Sequence, residues 1–289
     1  MALQAESAST TPRNRLLAAL PPEDLARLWP RLEPVALAVP QVLHAPGEPI
    51  PAVHFIETGW VSMVARLEGG DLAEVGLVGQ EGMVGLSLAL GADAAPTEAM
   101  VQGTGTALRM DAAGFGQALA GSAALHRLLL RYALAFQAQV SQTAACNGRH
   151  RLEERLARWL LMAHDRADGD ELPLTQDFLS MMLGVRRSGV TIAAGILQKA
   201  GLIRYVRGRI AVLDRAGLEA AACECHGAVQ REHARLLPDA GGAPRTRQRE
   251  RGPPGAKACR PVAAARAYLT DGRSSPTASS APAASKWRR

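Results

Sequence analysis

Apolar positions recur at helical spacing at the start of this chain and again in its second half, with a period-two region between. From residue 14 to 30, Leu16, Leu17 and Leu20 share one face, and Leu25 and Leu28 continue it beyond Pro21-Pro22. Glu23 and Asp24 fall in the first turn of that second helix, where acids suit the positive end of the dipole. From Val35 to Met110 the pattern shortens to alternating segments cut by Gly and Pro. Val53–Glu57, Trp60–Ala65, Asp71–Leu77, Glu98–Val101 and Thr106–Met110 read as separate strands, with turns at Thr58-Gly59 and Gly69-Gly70. Gly76, Gly79, Gly82 and Gly85, at spacing three, read as ordinary turn glycines. Short strands punctuated this way predict a small antiparallel barrel or sandwich.

From Ala112 the period becomes helical. Ala123 to about Asn147 holds no Pro or Gly, and Leu125, Leu128, Leu129, Tyr132, Phe136, Val140 and Thr143 mark a stripe along it. A helix of ~25 residues spans roughly 37 Å, more than one side of a small barrel covers. The surplus apolar face predicts a partner helix and hence a homodimer joined along Leu125, Leu128, Leu129, Tyr132, Phe136 and Val140. The competing reading buries the helix wholly on its own barrel.

Residues 150–213 carry the most specific pattern. Leu152, Leu156, Trp159, Leu160 and Ala163 give one helix. Thr175 is a good N-cap for a second, with Phe178 and Leu179 opening its apolar face and Gly184 in the turn that ends it. A third helix runs from Val185-Arg186-Arg187-Ser188 to Leu197-Gln198, stopped by Gly201. Ile203–Val206 and Ile210–Leu213, joined around Arg207-Gly208-Arg209, read as a β-hairpin. Helix, glycine turn, helix and wing make a winged helix-turn-helix. Such a unit enters the DNA major groove with the N-terminus of its second helix. Here that end carries Arg186, Arg187, Ser188 and Thr191, and arginine is the commonest bidentate reader of guanine. Thr175 and Gln176 at the start of the preceding helix, and Arg204, Arg207 and Arg209 on the wing, are positioned for flanking contacts.

Charge changes this picture only by its location. The chain of 289 residues carries net +6, but Asp239–Arg289 holds eleven Lys and Arg against three Asp and Glu. The DNA-binding reading therefore rests on the winged helix and not on bulk charge. That Pro-, Gly-, Ala- and Ser-rich tail cannot bury enough surface to fold, which predicts disorder from residue 238 onward. It reads either as a basic arm adding non-specific DNA affinity or as a solvated extension. The longest apolar runs fall short of the ~20 residues of a membrane span, and Met1–Arg15 lacks the pattern of a secretory signal. Four cysteines are too few and scattered for a disulfide framework. The expectation is a cytoplasmic protein without a membrane partner.

Two stretches bring a family into view. Ala45-Pro46-Gly47-Glu48 followed by His54-Phe55-Ile56-Glu57-Thr58-Gly59-Trp60-Val61 resembles the strand-turn-strand of a cyclic-nucleotide-binding barrel. Thr175-Gln176-Asp177-Phe178-Leu179 through Gly184-Val185-Arg186-Arg187-Ser188-Gly189-Val190-Thr191 resembles the helix-turn-helix of the bacterial Crp/Fnr regulators. The resemblance covers roughly residues 14–235 and implies an α+β chain. Its parts are a flexible N-terminus (1–13), an antiparallel β-roll or jelly-roll sensor (14–118), a dimerisation helix (119–148), a winged helix-turn-helix (149–237) and a tail (238–289). It implies a homodimer on a pseudo-palindromic operator in double-stranded DNA, with Arg187 as the principal base reader and RNA polymerase as a partner.

The effector cassette departs from that family. Leu86-Ser87 stands where a ribose-binding glutamate is expected, and Thr97-Glu98 where the phosphate-binding Arg pair is expected. No Lys or Arg lies between Arg66 and Arg109, an interval with six acidic residues. A cyclic phosphate entering without a counter-charge would be repelled, so cyclic AMP is expected to bind weakly or not at all, and the effector stays open. No cysteine precedes Cys146, which excludes an N-terminal iron–sulfur site. His44 and His54 are barrel histidines that haem could use, but single histidines are more often structural. Cys223-Glu224-Cys225-His226 is the remaining cluster, in which Cys223, Cys225 and His226 offer three metal ligands without the second pair of an established zinc motif. No cofactor is therefore expected. No P-loop, dinucleotide fingerprint, G-x-S-x-G or His-Glu-x-x-His is present, and Glu153-Glu154 beside Arg151 and Arg155 reads as surface ion pairs, so an enzyme is not expected. The alternative function is a ligand- or redox/metal-sensing barrel module that signals through protein contacts.

Overall fold

The computed structural model describes residues 11–237. The segment expected as a disordered basic tail, and most of the expected flexible N-terminus, lie outside the described residues. Helices α1 (Arg15–Ala18) and α2 (Pro22–Leu28), then a 3-10 turn (Trp29–Arg31), lead into the sheet. Asn14 explains the entry. Its side chain caps α1 by accepting from Leu16 and Leu17, and its amide donates to the carbonyls of Ile56 (2.9 Å) and Gly82 (2.8 Å). Leu16, Leu17, Leu20 and Leu28 are buried as their spacing predicts.

The sheet contains β1 (Glu33–Leu37), β2 (Val42–His44), β3 (Ala52–Arg66), β4 (Leu72–Val78), β5 (Met83–Val84) and β6 (Glu98–Asp111). All pairings are antiparallel, in the order β1-β6-β3-β4, with β2 on β6 and β5 on β3. Short α3 (Leu86–Ala89) lies between β5 and β6. Two pairs of expected strands are in fact single long bent strands, β3 and β6. Glycine bends them without ending them. The register of β3 on β6 shifts three times between Ile56 and Val61. There Gly59 has φ +75°, and a Cβ at Gly103 or Gly105 would strike the Trp60 ring or the Thr58 carbonyl. The glycines thus permit the close approach on which the roll bends.

The turn reading of the spacing-three glycines holds for Gly79 and Gly82, which bracket a turn closed by Gly82 N on Gly79 O (2.9 Å), but not for Gly76, which lies inside β4. Only Gly85 has positive φ. A Cβ at Gly76 would meet Phe136, one at Gly82 Tyr132, and one at Gly79 Arg166. These three positions are where side chains of the helix Ala123–Arg149 (Phe136, Tyr132) and of the turn after the helix Leu152–His164 (Arg166) seat on the roll.

Helix α4 (Ala112–Gly121), capped by Asp111, precedes α5 (Ala123–Arg149), capped by Ser122 at Leu125 N (3.0 Å). The stripe assigned to a partner helix packs differently. Leu125, Leu128, Leu129 and Tyr132 are buried in one core with Leu16, Val53, Phe55, Met83 and Phe115 of the same chain. Phe136 and Val140 are half-buried over Gly76. The apolar period identified a buried face correctly but not what buries it. Gln139 completes the docking, accepting from Leu77 N (3.0 Å) and donating to Leu77 O (3.1 Å).

The C-terminal part comprises α6 (Leu152–His164), β7 (Glu171–Leu172), α7 (Gln176–Leu183), α8 (Arg187–Lys199), β8 (Ile203–Val206), β9 (Arg209–Val212), α9 (Arg215–Ala221) and α10 (Cys225–Leu236). The wing gains a third strand, in the order β7-β9-β8. Its core runs into the roll: Trp60, Val64 and Leu77 share one cluster with Leu156, Trp159, Leu179, Val190 and Leu197. Glu153 and Arg155, read as surface residues, are buried. No described helix is long and apolar enough to cross a membrane.

Candidate nucleic-acid interface

Helix α7 begins where Thr175 Oγ1 accepts from Phe178 N (3.2 Å). It ends at Gly184, whose φ of +60° and ψ of 43° place it in the left-handed region. Val185 N then returns to Ser180 O (2.9 Å), closing a Schellman-type turn that only glycine enters without strain. This turn sets the direction of α8. Val190, Ala193, Ala194 and Leu197 bury one face of α8 against the core, and a Cβ on Gly189 would lie 3.0 Å from Leu152.

The opposite face is free. Arg186, at the N-cap, and Arg187, Ser188 and Thr191, in the first turns, are all exposed. Thr191 Oγ1 donates to Gln176 Oε1 (2.8 Å), so the N-termini of α7 and α8 are joined at the surface. Arg187 leans on Asp177 at 3.4 Å, both well exposed. Ile192 is 67% exposed on the same face, which the sequence reading missed. Its signal was an apolar residue one position beyond the polar end, where no core position was needed. On the wing, Arg207 (φ 46°) and Gly208 (φ 77°) form the two-residue turn, both with the positive φ of a tight hairpin. Arg204, Arg207 and Arg209 line a cleft with Glu171, Val206 and Ala211, and Arg209 lies 3.9 Å from Glu171. The structure thus joins the starts of α7 and α8 through Thr191 and Gln176, and brings the wing turn to the start of α7, where a Cβ on Gly208 would lie 3.5 Å from Thr175.

The sequence matches two domain families in series: the cyclic nucleotide-binding domain over residues 35–122 and the Crp-like helix-turn-helix domain over residues 154–221. The chain belongs to the Crp/Fnr family of transcriptional regulators. Among solved structures with this fold is FixK2 from Bradyrhizobium japonicum, 17% identical, with a TM-score of 0.57 over 66% of this chain and 98% of that one. Another is a CRP-family transcriptional regulator from Thermus thermophilus, 23% identical, with a TM-score of 0.54 over 65% and 96%. A third, CLP from Xanthomonas campestris, described as a c-di-GMP-responsive global regulator, is 16% identical with a TM-score of 0.53 over 66% and 98%. No curated protein matches the chain.

In this Crp/Fnr chain the positions of the effector cassette do not build an anion site. Leu86 opens α3 and packs against the core of the roll and α5, and Ser87 follows it half-buried. Thr97 is half-buried just before β6. Glu98 is 5% exposed and its Oε2 is held by Arg66 of β3 at 2.8 Å. The one basic side chain paired here is thus engaged by a carboxylate, and a cyclic phosphate does not fit this donor set. His44 and His54 are buried, and burial holds both imidazoles neutral. His54 is lowered to about 4, by burial first and then by Arg109 and His44.

Between roll and DNA-binding domain runs a polar seam. Trp159 Nε1 donates to Glu74 Oε1 (2.7 Å) and Ser62 Oγ to Glu74 Oε2 (2.6 Å). Arg166 grips Glu81 Oε1 through Nη2 (2.6 Å) and Nε (3.0 Å). Burial pushes the Glu74 carboxyl up to about 7. A carboxyl raised in the folded state binds a proton that the unfolded chain has released, so its contribution falls as pH rises from about 4.5 to about 7. Glu74→Gln, which imitates the protonated group, is expected to remove that slope. Unfolding of variant and parent at pH 5 and pH 8 should show the parent losing about 2–3 kcal/mol more over that interval. Equal slopes would contradict the assignment.

The Cys223, Cys225 and His226 grouping is not what the structure assembles. His226 turns away to Asp165, with Nε2 3.0 Å from Oδ2. Burial would raise the Asp165 carboxyl, but His226 and Arg215 together bring it down to about 2. Cys223 and Cys225 instead meet Cys146 and His150, from the end of α5.

Proposed function

We propose that this chain regulates transcription as a homodimer that reads a pseudo-palindromic operator through α8. The observation that carries the reading is the exposed Arg186, Arg187, Ser188 and Thr191 cluster at the N-terminus of a helix whose other face is buried. Arg187 is the base reader, suited to guanine O6 and N7. Ile192 suits a thymine methyl, and Arg204, Arg207 and Arg209 suit flanking phosphates. RNA polymerase is the partner through which a family member acts on transcription. The effector is a molecule other than cyclic AMP, since Glu98 occupies Arg66.

The dimer face is the side of α5 left open by the roll. Leu130 and Leu134 are 46% and 48% exposed, although both are large and apolar. Arg127, Leu130, Leu134, Gln137, Ser141 and Ala144 follow one another at alternating spacings of three and four, the seam of a two-stranded coiled coil. All six are exposed. Leu134→Glu places two like charges across that seam. It is expected to yield a folded monomer by sedimentation equilibrium, whose affinity for a palindrome drops to that for one half-site. A variant that stays dimeric with parental affinity would show that the seam lies elsewhere.

A further inference from the structure

We propose that Cys146, His150, Cys223 and Cys225 form a four-coordinate Zn²⁺ site joining the end of α5 to the turn between α9 and α10. Their ligand atoms all lie within 4.8 Å of one another, and the three cysteines are buried. Cys146 Sγ is 3.5 Å from Cys223 Sγ, and Cys225 Sγ is 3.4 Å from His150 Nδ1. With Zn–S of about 2.3 Å and Zn–N of about 2.0–2.1 Å, a tetrahedron has edges of about 3.5–3.8 Å. The spacing is therefore that of a single ion's ligand shell. It is too tight for the cage of an iron–sulfur cluster.

The surroundings also suit a metal. His150 presents Nδ1 to the cysteines while its Nε2 lies 3.3 Å from Glu224 Oε1. A ligating histidine characteristically hands its second ring N–H to a carboxylate, which fixes ring orientation and tautomer. Gln142 Nε2 lies 3.0 Å from Cys225 Sγ, a donor that suits a thiolate. Three thiolates and Zn²⁺ leave one net negative charge. Arg158 is 2% exposed, its Nε has no hydrogen-bond partner among the described residues, and its Nη1 reaches Thr143, one turn before Cys146. A buried cation so placed balances that charge. Three thiols with an oriented imidazole match a Cys₃His zinc centre, whereas a Cys146–Cys223 disulfide would leave Cys225, His150 and Glu224 without a common purpose.

The four ligands lie outside both matched domains, which end at 122, begin again at 154 and end at 221. The site thus lies outside the segments the two families describe and uses none of the α8 residues proposed to read DNA. It ties the hinge after α5 to the last described helix.

The test uses the full chain, purified under reducing conditions, with zinc measured by elemental analysis. One zinc per chain is expected. Co²⁺ added to the metal-free chain should give the strong visible bands of tetrahedral cobalt and a thiolate-to-cobalt charge-transfer band, both displaced by Zn²⁺. Cys146→Ser and Cys225→Ser should lose the ion, His150→Cys should keep it, and Cys259→Ser and His226→Gln should bind as the parent does. If the serine variants fail to fold, the cobalt spectrum of the parent still decides. A chain with no zinc and no tetrahedral cobalt spectrum, a Cys146–Cys223 disulfide in the reduced preparation, or loss of the ion in Cys259→Ser would overturn the proposal.

Discussion

Replacing Arg187 with alanine is expected to weaken operator binding by about 5- to 150-fold, the equivalent of roughly 1–3 kcal/mol, and to relax one base pair per half-site. The size follows from what the side chain gives up and gains. Among the described residues the Arg187 side chain pairs with Asp177, 3.4 Å away, with side-chain exposures of 64% and 70%. Such a surface pair contributes at most about 1 kcal/mol, so DNA displaces it readily. A guanine offers two acceptors in the geometry of the guanidinium fork, and lysine cannot reproduce that, so Arg187→Lys should recover little. Arg204→Ala on the wing should behave differently, lowering affinity evenly across sequences and flattening the salt dependence. Fluorescence anisotropy over a salt series separates the two. If Arg187→Ala binds every duplex as the parent does, α8 is not the reading head.

Arg166→Met is expected to have the largest effect on stability. The Arg166 and Glu81 side chains are 8% and 11% exposed and bonded at 2.6 Å. Burial would raise the Glu81 carboxyl, but Arg166 and then His233 hold it below the ordinary carboxylate range. Removing the cation leaves a buried charge unpaired, at a cost of about 3–5 kcal/mol. For a chain of this size that corresponds to a fall of roughly 6–20 °C in Tm. The pH dependence should also reverse. In the parent, the depressed Glu81 contributes stability that is present above its unfolded value and lost as pH falls. In the variant, burial, the largest influence on this carboxyl, raises it against the weaker pull of His233, so stability falls as pH rises. Adding Glu81→Leu should restore most of the loss. A drop below 1 kcal/mol in Arg166→Met would show that the pair is not the anchor of the seam.

Much of this architecture was legible in the sequence because its signals are local. Gly184 and Thr175 act within one turn, and Arg186, Arg187, Ser188 and Thr191 follow directly from where α8 begins. Contacts between distant elements were not legible. The stripe Leu125–Tyr132 announced a buried face, but only the fold shows that the roll covers it and leaves Leu130 and Leu134 outside. Thr58-Gly59 read as a turn and the stretch from Val101 to Thr106 as a break between strands, because a glycine that bends a strand and one that ends it read alike. The close approach of Phe136, Arg166 and Tyr132 to Gly76, Gly79 and Gly82, each from more than 45 residues away, was not legible either, although Gly79 and Gly82 do bracket a turn. Cys146 lies 77 residues from Cys223, so sequence adjacency favoured His226 over His150 as the imidazole.

The central claim is sequence-specific reading of DNA by paired α8 helices. Selection of bound duplexes from a randomised pool, with the full chain and with a chain ending at Leu237, tests it most directly. The account predicts that both recover one pseudo-palindrome with half-sites about one helical turn apart, roughly 10–10.5 base pairs centre to centre. Binding by the full chain alone, without sequence preference and with steep salt dependence, would place DNA contact in the basic segment after Leu237 and contradict it.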